Sequence, residues 1–121
     1  MEKRKKKFSI EERLKSFRYA ANGLRLLVEQ EHNARIHAVV TIMVLALGVV
    51  LDFDSTEWVA VLIVISVVLI TETLNTAIER LCDLFFPEYN QAVKEIKDLA
   101  AGAVLIASAV AVIVGLIVLC A

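Results

Sequence analysis

Polar and apolar residues follow one another along this chain in blocks that predict one amphipathic helix and three longer apolar helices. Residues Ser9 to Glu12 match the S-x-x-E pattern of a capping box, which indicates the start of a helix. Apolar residues then recur three and four positions apart, at Leu14, Phe17, Ala21, Leu24 and Val28. Charged and polar residues occupy much of the remaining circumference, so segment 9–31 is predicted to lie as an amphipathic helix in a membrane interface. Packing on a soluble partner is the alternative for this segment.

Three long apolar segments follow, and each is predicted to form a helix that crosses the membrane. The run from Ile36 to Leu51 alone reaches about 24 Å at 1.5 Å per residue, which is short of a hydrocarbon core of about 30 Å. Ala34 and Arg35 extend this run to a full span, because the long arginine side chain can reach the interface. The predicted helices are 34–51, 57–85 and 90–121, and together with 9–31 they form one membrane domain, 9–121.

Short polar segments separate these predicted helices. Residues 29–35 are predicted to form a polar hinge. Asp54 or Ser55 can cap the second apolar helix, because short polar side chains accept the free N–H groups of a first turn. Pro87 should end that helix, and Asn90 can cap the next one.

Small residues recur every four positions in the third apolar helix, at Ala103, Ala107, Ala111 and Gly115. This spacing places small side chains on one face and permits another helix to approach closely. The pattern predicts helix packing on this face, inside the chain or between subunits.

The positive charges are segregated, although the net charge is only −1. Ten of the 13 Lys and Arg residues fall at or before Arg35, and none lies in 36–79. Because Lys and Arg favour the cytoplasmic side, tail 1–8 and segment 80–97 are predicted to be cytoplasmic, and loop 52–57 external. The C-terminus is then external. No basic and aromatic residues interleave after the tail, so no nucleic-acid partner is expected.

Three carboxylates form a stripe at the end of the second apolar helix. At about 100° per residue, Glu72, Glu79 and Asp83 lie within roughly 20° of one line, and Asn75 lies about 60° from it. Ionisable groups in a membrane helix are costly, so the stripe predicts a functional site that opens to the cytoplasm. The alternatives are a structural polar seam paired with Arg80 and Lys97, and a non-enzymatic membrane protein such as an ion or proton pathway or an assembly subunit.

Carboxylates at two depths suit two kinds of chemistry. Glu31 and Glu79 are both predicted at the cytoplasmic boundary, where hard oxygen ligands could share Mg²⁺. Glu72 lies deeper and is a candidate general base for a hydroxyl group arriving from the lipid. Lys94 and Lys97 could neutralise phosphate charge. The chain has no Walker loop, GxGxxG, HRD or DFG motif, so these residues alone do not identify a nucleotide.

Five motifs occur in order along the chain: Ala21-Asn-Gly23-Leu-Arg, Glu31-x-Asn33-x-Arg35-Ile36-His37, Glu72-x-x-Asn75-x-Ala77-Ile78-Glu79-x-x-x-Asp83, Pro87-Glu88-Tyr89 and Lys97-Asp98-x-Ala-Ala101-Gly102-Ala103-Val104. Through them the sequence resembles the small prokaryotic integral-membrane diacylglycerol kinase family, which includes the Gram-positive-type undecaprenol kinases. The resemblance covers nearly the whole chain from about Phe17.

The resemblance implies an all-α homotrimer with active sites between subunits, in the bacterial inner membrane. It implies that ATP and Mg²⁺ are used to phosphorylate a lipid alcohol, either diacylglycerol, giving phosphatidate, or undecaprenol, giving undecaprenyl phosphate. The Glu31–His37 run and Pro87-Glu-Tyr look more like the Gram-positive branch, which favours undecaprenol.

The resemblance also implies a role for particular residues. Glu72 is the expected catalytic base, and Glu31 and Glu79 are the expected metal ligands. Expected nucleotide contacts are Tyr19, Glu31, Glu79, Glu88, Lys97 and Asp98. Expected lipid contacts are Asn33, Arg35 and Glu72, and the expected supporting residues are Asn75 and Asp83.

Three positions receive no site role. Family members often carry a basic residue early in the amphipathic helix, but that position falls on Glu12 here. His32 and His37 are expected to serve in packing or at the interface.

Overall fold

A computed structural model describes residues 7–120, and all its regular secondary structure is helical. Residues 1–6 of the predicted basic tail lie outside the described part. The helices are α1 (Ile10–Gln30), α2 (His32–Val50), α3 (Ser55–Phe85) and α4 (Gln91–Cys120). Helices α3 and α4 pack along each other more extensively than any other pair of helices in residues 7–120. The predicted all-α fold is thus confirmed.

The junction between α1 and α2 is much shorter than the predicted seven-residue hinge. Only Glu31 leaves the helical conformation, with φ −116° and ψ 118°. The guanidinium group of Arg35 donates to the carbonyl oxygen of Val28 at 2.8 Å and also to that of Glu29. These bonds satisfy carbonyl groups that the end of α1 leaves free, so two helices can meet at one residue. Helix α2 therefore begins at His32, two residues before the predicted start.

The start of α3 is fixed by a complete capping box. Asp54 Oδ1 accepts the N–H of Glu57 at 2.8 Å, and Glu57 Oε1 accepts the N–H of Asp54 at 3.4 Å. Of the two predicted caps, Asp54 is the one used. Because the capping residue immediately precedes the helix, α3 begins at Ser55, whereas residue 57 was the predicted start.

An aromatic pair packs the α2–α3 turn against the end of α2. The rings of Phe53 and Trp58 lie edge to face with centroids 5.5 Å apart. A Cβ atom at Gly48 would stand 2.6 Å from a Trp58 ring carbon and 2.8 Å from a Phe53 ring carbon. Gly48 is therefore the residue that lets both rings rest on the α2 backbone.

The α3–α4 turn follows the sequence signals closely. Helix α3 ends at Phe85, where the N–H of Phe86 donates to the carbonyl oxygen of Cys82 at 2.8 Å, and Pro87 follows. Asn90 Oδ1 accepts the N–H groups of Ala92 and Val93 at 2.9 and 3.2 Å. The predicted cap at Asn90 is confirmed.

Helices α2, α3 and α4 are each long and apolar enough to cross a membrane. Few of their apolar side chains are buried within the chain, and Ala107 is the one buried residue of α4. Ala107 belongs to the predicted small-residue face, but a Cβ at Gly115 would meet nothing within 4 Å among the described residues. Contact through Gly115 with another subunit stays a prediction.

Candidate active site

Glu72 is buried at the deeper, N-terminal end of the acidic stripe on α3. Its residue surface is 3% exposed, and Val68 and Thr76, one turn to either side, are buried with it. Among residues 7–120, no Lys or Arg nitrogen lies within 4 Å of its carboxylate. A buried carboxylate needs a polar partner, since removal from water without one is costly.

The partner of Glu72 is His37 on α2. Its ring nitrogen Nε2 lies 3.6 Å from Glu72 Oε2, and its side chain is 26% exposed, compared with 4% for Glu72. The sequence predicted a packing or interfacial role for His37 and did not predict this contact. The available signal was its position in the Glu31–His37 motif, but the motif does not show which residue of α3 faces it.

Glu79 is held by the amide of Asn75. Asn75 Nδ2 donates to Glu79 Oε1 at 3.3 Å, one turn along α3. The other amide atom, Oδ1, is buried without a hydrogen-bond partner in the described part of the chain. An unpaired buried acceptor is costly, so this atom is suited to a ligand, a cation or a second subunit.

Arg80 connects α3 to the junction of α1 and α2. Its guanidinium group lies 4.0 Å from Glu31 Oε1 and donates to Gln30 Oε1. Because Arg80 follows Glu79 directly, Glu31 lies beside the part of α3 that carries Glu79. The two predicted metal ligands are thus near the same level of the molecule, although they come from different elements.

These donors suit a magnesium ion that is shared with phosphate groups. Within residues 7–120, no group of three or more His, Cys, Asp and Glu residues is arranged to enclose a metal ion. Magnesium usually takes one or two carboxylates, and its other ligands are water and substrate phosphates. Glu31 and Glu79 supply two carboxylates, and the unpaired Asn75 Oδ1 offers a further hard oxygen nearby.

A polar hollow of about 320 Å³ lies between the end of α3 and the start of α4. Lys97 Nζ binds Asp83 Oδ1 at 2.6 Å across it, and Lys94 Nζ binds Asp98 Oδ2 at 2.6 Å along α4. The hollow is lined by Asp83, Phe86, Pro87, Glu88, Tyr89, Asn90, Val93, Lys94 and Lys97. Two predicted nucleotide contacts, Glu88 and Lys97, therefore meet here, and Asp98 stands beside them.

Tyr19, Asn33 and Arg35 take no part in the hydrogen bonds and ion pairs just described. Tyr19 and Asn33 are exposed, and the Arg35 guanidinium is bound to the end of α1. Within residues 7–120, no side-chain hydrogen bond or ion pair joins any of the three to Glu72. Their predicted roles in nucleotide and lipid binding stay predictions, as do the roles of the other site residues.

Of the three carboxylates in the acidic stripe, one forms an ion pair with a lysine, and the other two have no Lys or Arg partner in the described residues. Asp83 pairs with Lys97, as the structural alternative predicts. Arg80 pairs with Glu31 outside the stripe. In the described part of the chain, Glu72 and Glu79 have no Lys or Arg nitrogen within 4 Å, so a structural seam does not account for them.

Comparison with known proteins identifies the family. The family profile "Prokaryotic diacylglycerol kinase" matches residues 18–119. An undecaprenol kinase of Bacillus subtilis is 34% identical over 104 residues, covering 86% of this chain and 85% of that protein. A diacylglycerol kinase of Escherichia coli K12 is 34% identical over 106 residues, covering 88% and 87%. A diacylglycerol kinase of Synechocystis is 38% identical over 103 residues, covering 84% of this chain and 59% of that protein. The expected resemblance is confirmed, and this chain belongs to the prokaryotic diacylglycerol kinase family.

Proposed function

We propose that this protein is a multi-pass membrane lipid kinase that transfers the γ-phosphoryl group of ATP to the hydroxyl group of a lipid alcohol. Relatives that match over most of their length are named undecaprenol kinase and diacylglycerol kinase. The observation that carries the proposal is Glu72, a carboxylate buried inside an apolar helix with no Lys or Arg beside it in the described residues. Such a group is suited to accepting a proton from a hydroxyl at the membrane edge.

Glu72 acts as the general base of the reaction. It accepts the proton of the lipid hydroxyl while the hydroxyl oxygen bonds to the γ-phosphorus of ATP. Phosphoryl transfer needs little covalent chemistry from the protein and depends mainly on positioning and charge. Burial of Glu72 keeps water from taking the place of the lipid hydroxyl, because water has little access to its oxygens.

Glu31 and Glu79 would hold Mg²⁺, and Asn75 supports Glu79 through its amide bond. Bound Mg²⁺ supplies positive charge that offsets the charge of the phosphate oxygens. Glu88, Lys97 and Asp98 place the nucleotide at the polar hollow, and the family resemblance adds Tyr19 of α1 as a further nucleotide contact. Asp83 supports this end of the site by orienting Lys97, which it binds at 2.6 Å.

The lipid alcohol approaches between α2 and α3, near Asn33 and Arg35. An apolar groove of about 410 Å³ runs beside His37, lined by side chains of α2, α3 and α4 such as Val40, Val64 and Leu116. A hydrocarbon chain fits this lining, whether acyl or isoprenoid. We assign undecaprenol or diacylglycerol as acceptor, and the motif at Glu31–His37 favours undecaprenol.

The working enzyme is a homotrimer of the bacterial inner membrane, with active sites between subunits. Its N-terminus is cytoplasmic, its C-terminus is external, and α1 lies as an amphipathic helix in the cytoplasmic interface. Two observations support this assembly. Lys and Arg are confined to one predicted side, and α4 buries only Ala107 within its own chain among the described residues.

A direct assay tests the proposed function. Purified protein is incubated with radiolabelled ATP and Mg²⁺, with diacylglycerol or undecaprenol supplied in turn, and the labelled lipid is identified. Glu72→Gln is expected to lower turnover at least about 100-fold, a typical contribution of a general base, while ATP binding persists.

Glu95→Gln is the matched control, since Glu95 is exposed on α4 outside the proposed site. It should phosphorylate lipid at the wild-type rate. If wild-type protein phosphorylates neither lipid, the kinase proposal is wrong and a non-enzymatic membrane role takes its place. If lipid is phosphorylated and Glu72→Gln retains full turnover, the protein is a kinase but Glu72 is not its general base.

A further inference from the structure

A general base that accepts a proton must release it before the next turnover. Glu72 is poorly placed to do this alone, because only 4% of its side chain is exposed. The nearest titratable side chain is that of His37, with Nε2 at 3.6 Å from Oε2 and 26% of its surface exposed. The requirement itself rests on the proposed function, in which Glu72 is the base.

We propose that His37 receives the proton from Glu72 and passes it to water, and so restores the base after each turnover. His37 acts through Glu72 and does not touch the reacting hydroxyl, so it is a positioning residue and proton acceptor. At 3.6 Å the two atoms lie just beyond hydrogen-bond length. A movement of about 0.5 Å closes the bond, and catalytic hydrogen bonds commonly tighten when substrate binds.

Glu72 is the one charged residue with an ion-pair contact to His37 in residues 7–120. The groove beside His37 is lined from α3 by apolar residues such as Val64 and Val68, and α4 contributes one polar side chain, the hydroxyl of Ser108. On α2 itself, the nearest cation is Arg35, whose guanidinium group is turned to the end of α1. Glu79 lies seven residues beyond Glu72, or about 10.5 Å along α3. His37 is therefore the titratable side chain that the described residues place next to Glu72.

The proton and the bonds balance in each turnover. The lipid O–H bond breaks and an O–P bond forms to the γ-phosphorus, while the bond from that phosphorus to the bridging oxygen breaks and ADP keeps the electron pair. The proton goes to the Glu72 carboxylate, then to the unprotonated Nε2 of neutral His37, and from the imidazole ring to water. Histidine suits this step because an ordinary imidazole both gains and loses a proton near neutral pH.

Kinetics of His37→Gln test this relay. Glutamine keeps a polar side chain of similar size beside Glu72, but its amide does not take up a proton in water near neutral pH. The first turnover is therefore expected at close to the wild-type rate, as a burst of about one product per site. Steady-state kcat falls about 100-fold, at the lower end of what proton-transfer groups contribute, and KM for lipid and ATP stays within about twofold.

Two further measurements separate a proton relay from a structural role. The dependence of kcat on pH should differ between the wild-type enzyme and His37→Gln, because the variant lacks the imidazole that receives the proton. Imidazole added to the buffer should restore turnover in His37→Ala. His32→Gln is the matched control, because His32 is exposed on the same helix. This substitution is expected to leave the burst, kcat, KM and pH dependence unchanged.

The outcomes are distinguishable from failure of the kinase proposal itself. Wild-type turnover together with an inactive Glu72→Gln variant establishes the base, and His37→Gln is then judged separately. The relay is overturned if the steady-state kcat of His37→Gln equals the wild-type value, or if its first turnover is slow and shows no burst. Either result leaves Glu72 as the base. His37→Asn is prepared in parallel, and thermal unfolding of each variant checks that a folded protein is compared.

Discussion

Three carboxylates on one face of α3 have three different neighbours. Glu72 faces an imidazole, Glu79 accepts a bond from an amide, and Asp83 binds an ammonium group. The cationic neighbour, the ammonium group of Lys97, lies at the predicted cytoplasmic end. A neutral partner suits a proton acceptor, whereas a carboxylate held only by an amide keeps lone pairs free for a cation. The roles that we propose for the stripe therefore separate along the helix.

The substitution Glu79→Gln tests whether Glu79 is a ligand of Mg²⁺. The substitution keeps the size of the side chain and removes its charge, so it should raise the Mg²⁺ concentration needed for half-maximal turnover at least about tenfold, or abolish turnover. Turnover is measured as a function of Mg²⁺ at fixed ATP, with Glu95→Gln as control. An unchanged Mg²⁺ dependence in a folded Glu79→Gln protein would place the metal elsewhere.

At the scale of the elements, the α2–α3 turn sets how the two helices stand against each other. Phe53 and Trp58 rest on the backbone at Gly48, and the capping box fixes the first turn of α3. Both helices run from this turn towards the proposed site, where His37 on α2 meets Glu72 on α3. Packing at the turn therefore helps to decide which residue of α2 faces Glu72.

Gly48→Ala should destabilise the protein. The added methyl group would stand 2.6 Å from a Trp58 ring carbon, so the rings or the α2 backbone must move. Overpacking of this kind costs about 1–3 kcal/mol, which is measured as a lower midpoint of thermal or denaturant unfolding. Gly102→Ala is the control, because a Cβ there meets nothing within 4 Å of the described residues. Equal midpoints for wild type and Gly48→Ala would show that the aromatic pair packs differently.

The ends of the helices were predictable because their signals are local. Ser9, Asp54 and Asn90 bind N–H groups two or three residues away, and sequence alone shows those neighbours. The contacts of the site were not predictable in the same way. His37 and Glu72 are 35 positions apart and belong to different helices, so their meeting depends on the rotation of both helices.

The junction at Glu31 is a second feature that the sequence predicted only in part. A polar run such as 29–35 indicates a break, but the length of the break depends on whether free carbonyl groups find donors. Arg35 supplies those donors by folding back onto Val28 and Glu29. This choice of arginine rotamer is not visible in the hydrophobic pattern, which favoured an Arg35 reaching for the interface.

At the scale of the whole molecule, one chain leaves most of its apolar surface uncovered. Large side chains of α4 such as Leu105, Ile113 and Leu119 are exposed. Lipid accounts for such a surface, and so do neighbouring subunits. The polar hollow and the Glu72–His37 pair also lie apart on the chain, since Asp83 is 11 residues beyond Glu72, or about 16 Å along α3. A site shared between subunits would bring a neighbour's nucleotide contacts to Glu72.

Mixing two inactive variants tests this arrangement. Glu72→Gln lacks the proposed base, and Asp98→Asn alters a proposed nucleotide contact. If each site takes these two residues from different subunits, trimers assembled from both variants contain some sites with neither defect. The two proteins are unfolded, mixed, reconstituted together and assayed for lipid phosphorylation, and part of the wild-type activity should return. The control is a mixture of Glu72→Gln with Glu79→Gln. These two residues lie on one face of α3, about 10.5 Å apart, and should serve the same site. No activity is therefore expected in this mixture. Absence of recovery in the first mixture, with trimers confirmed by cross-linking, would mean that each site is built within a single chain.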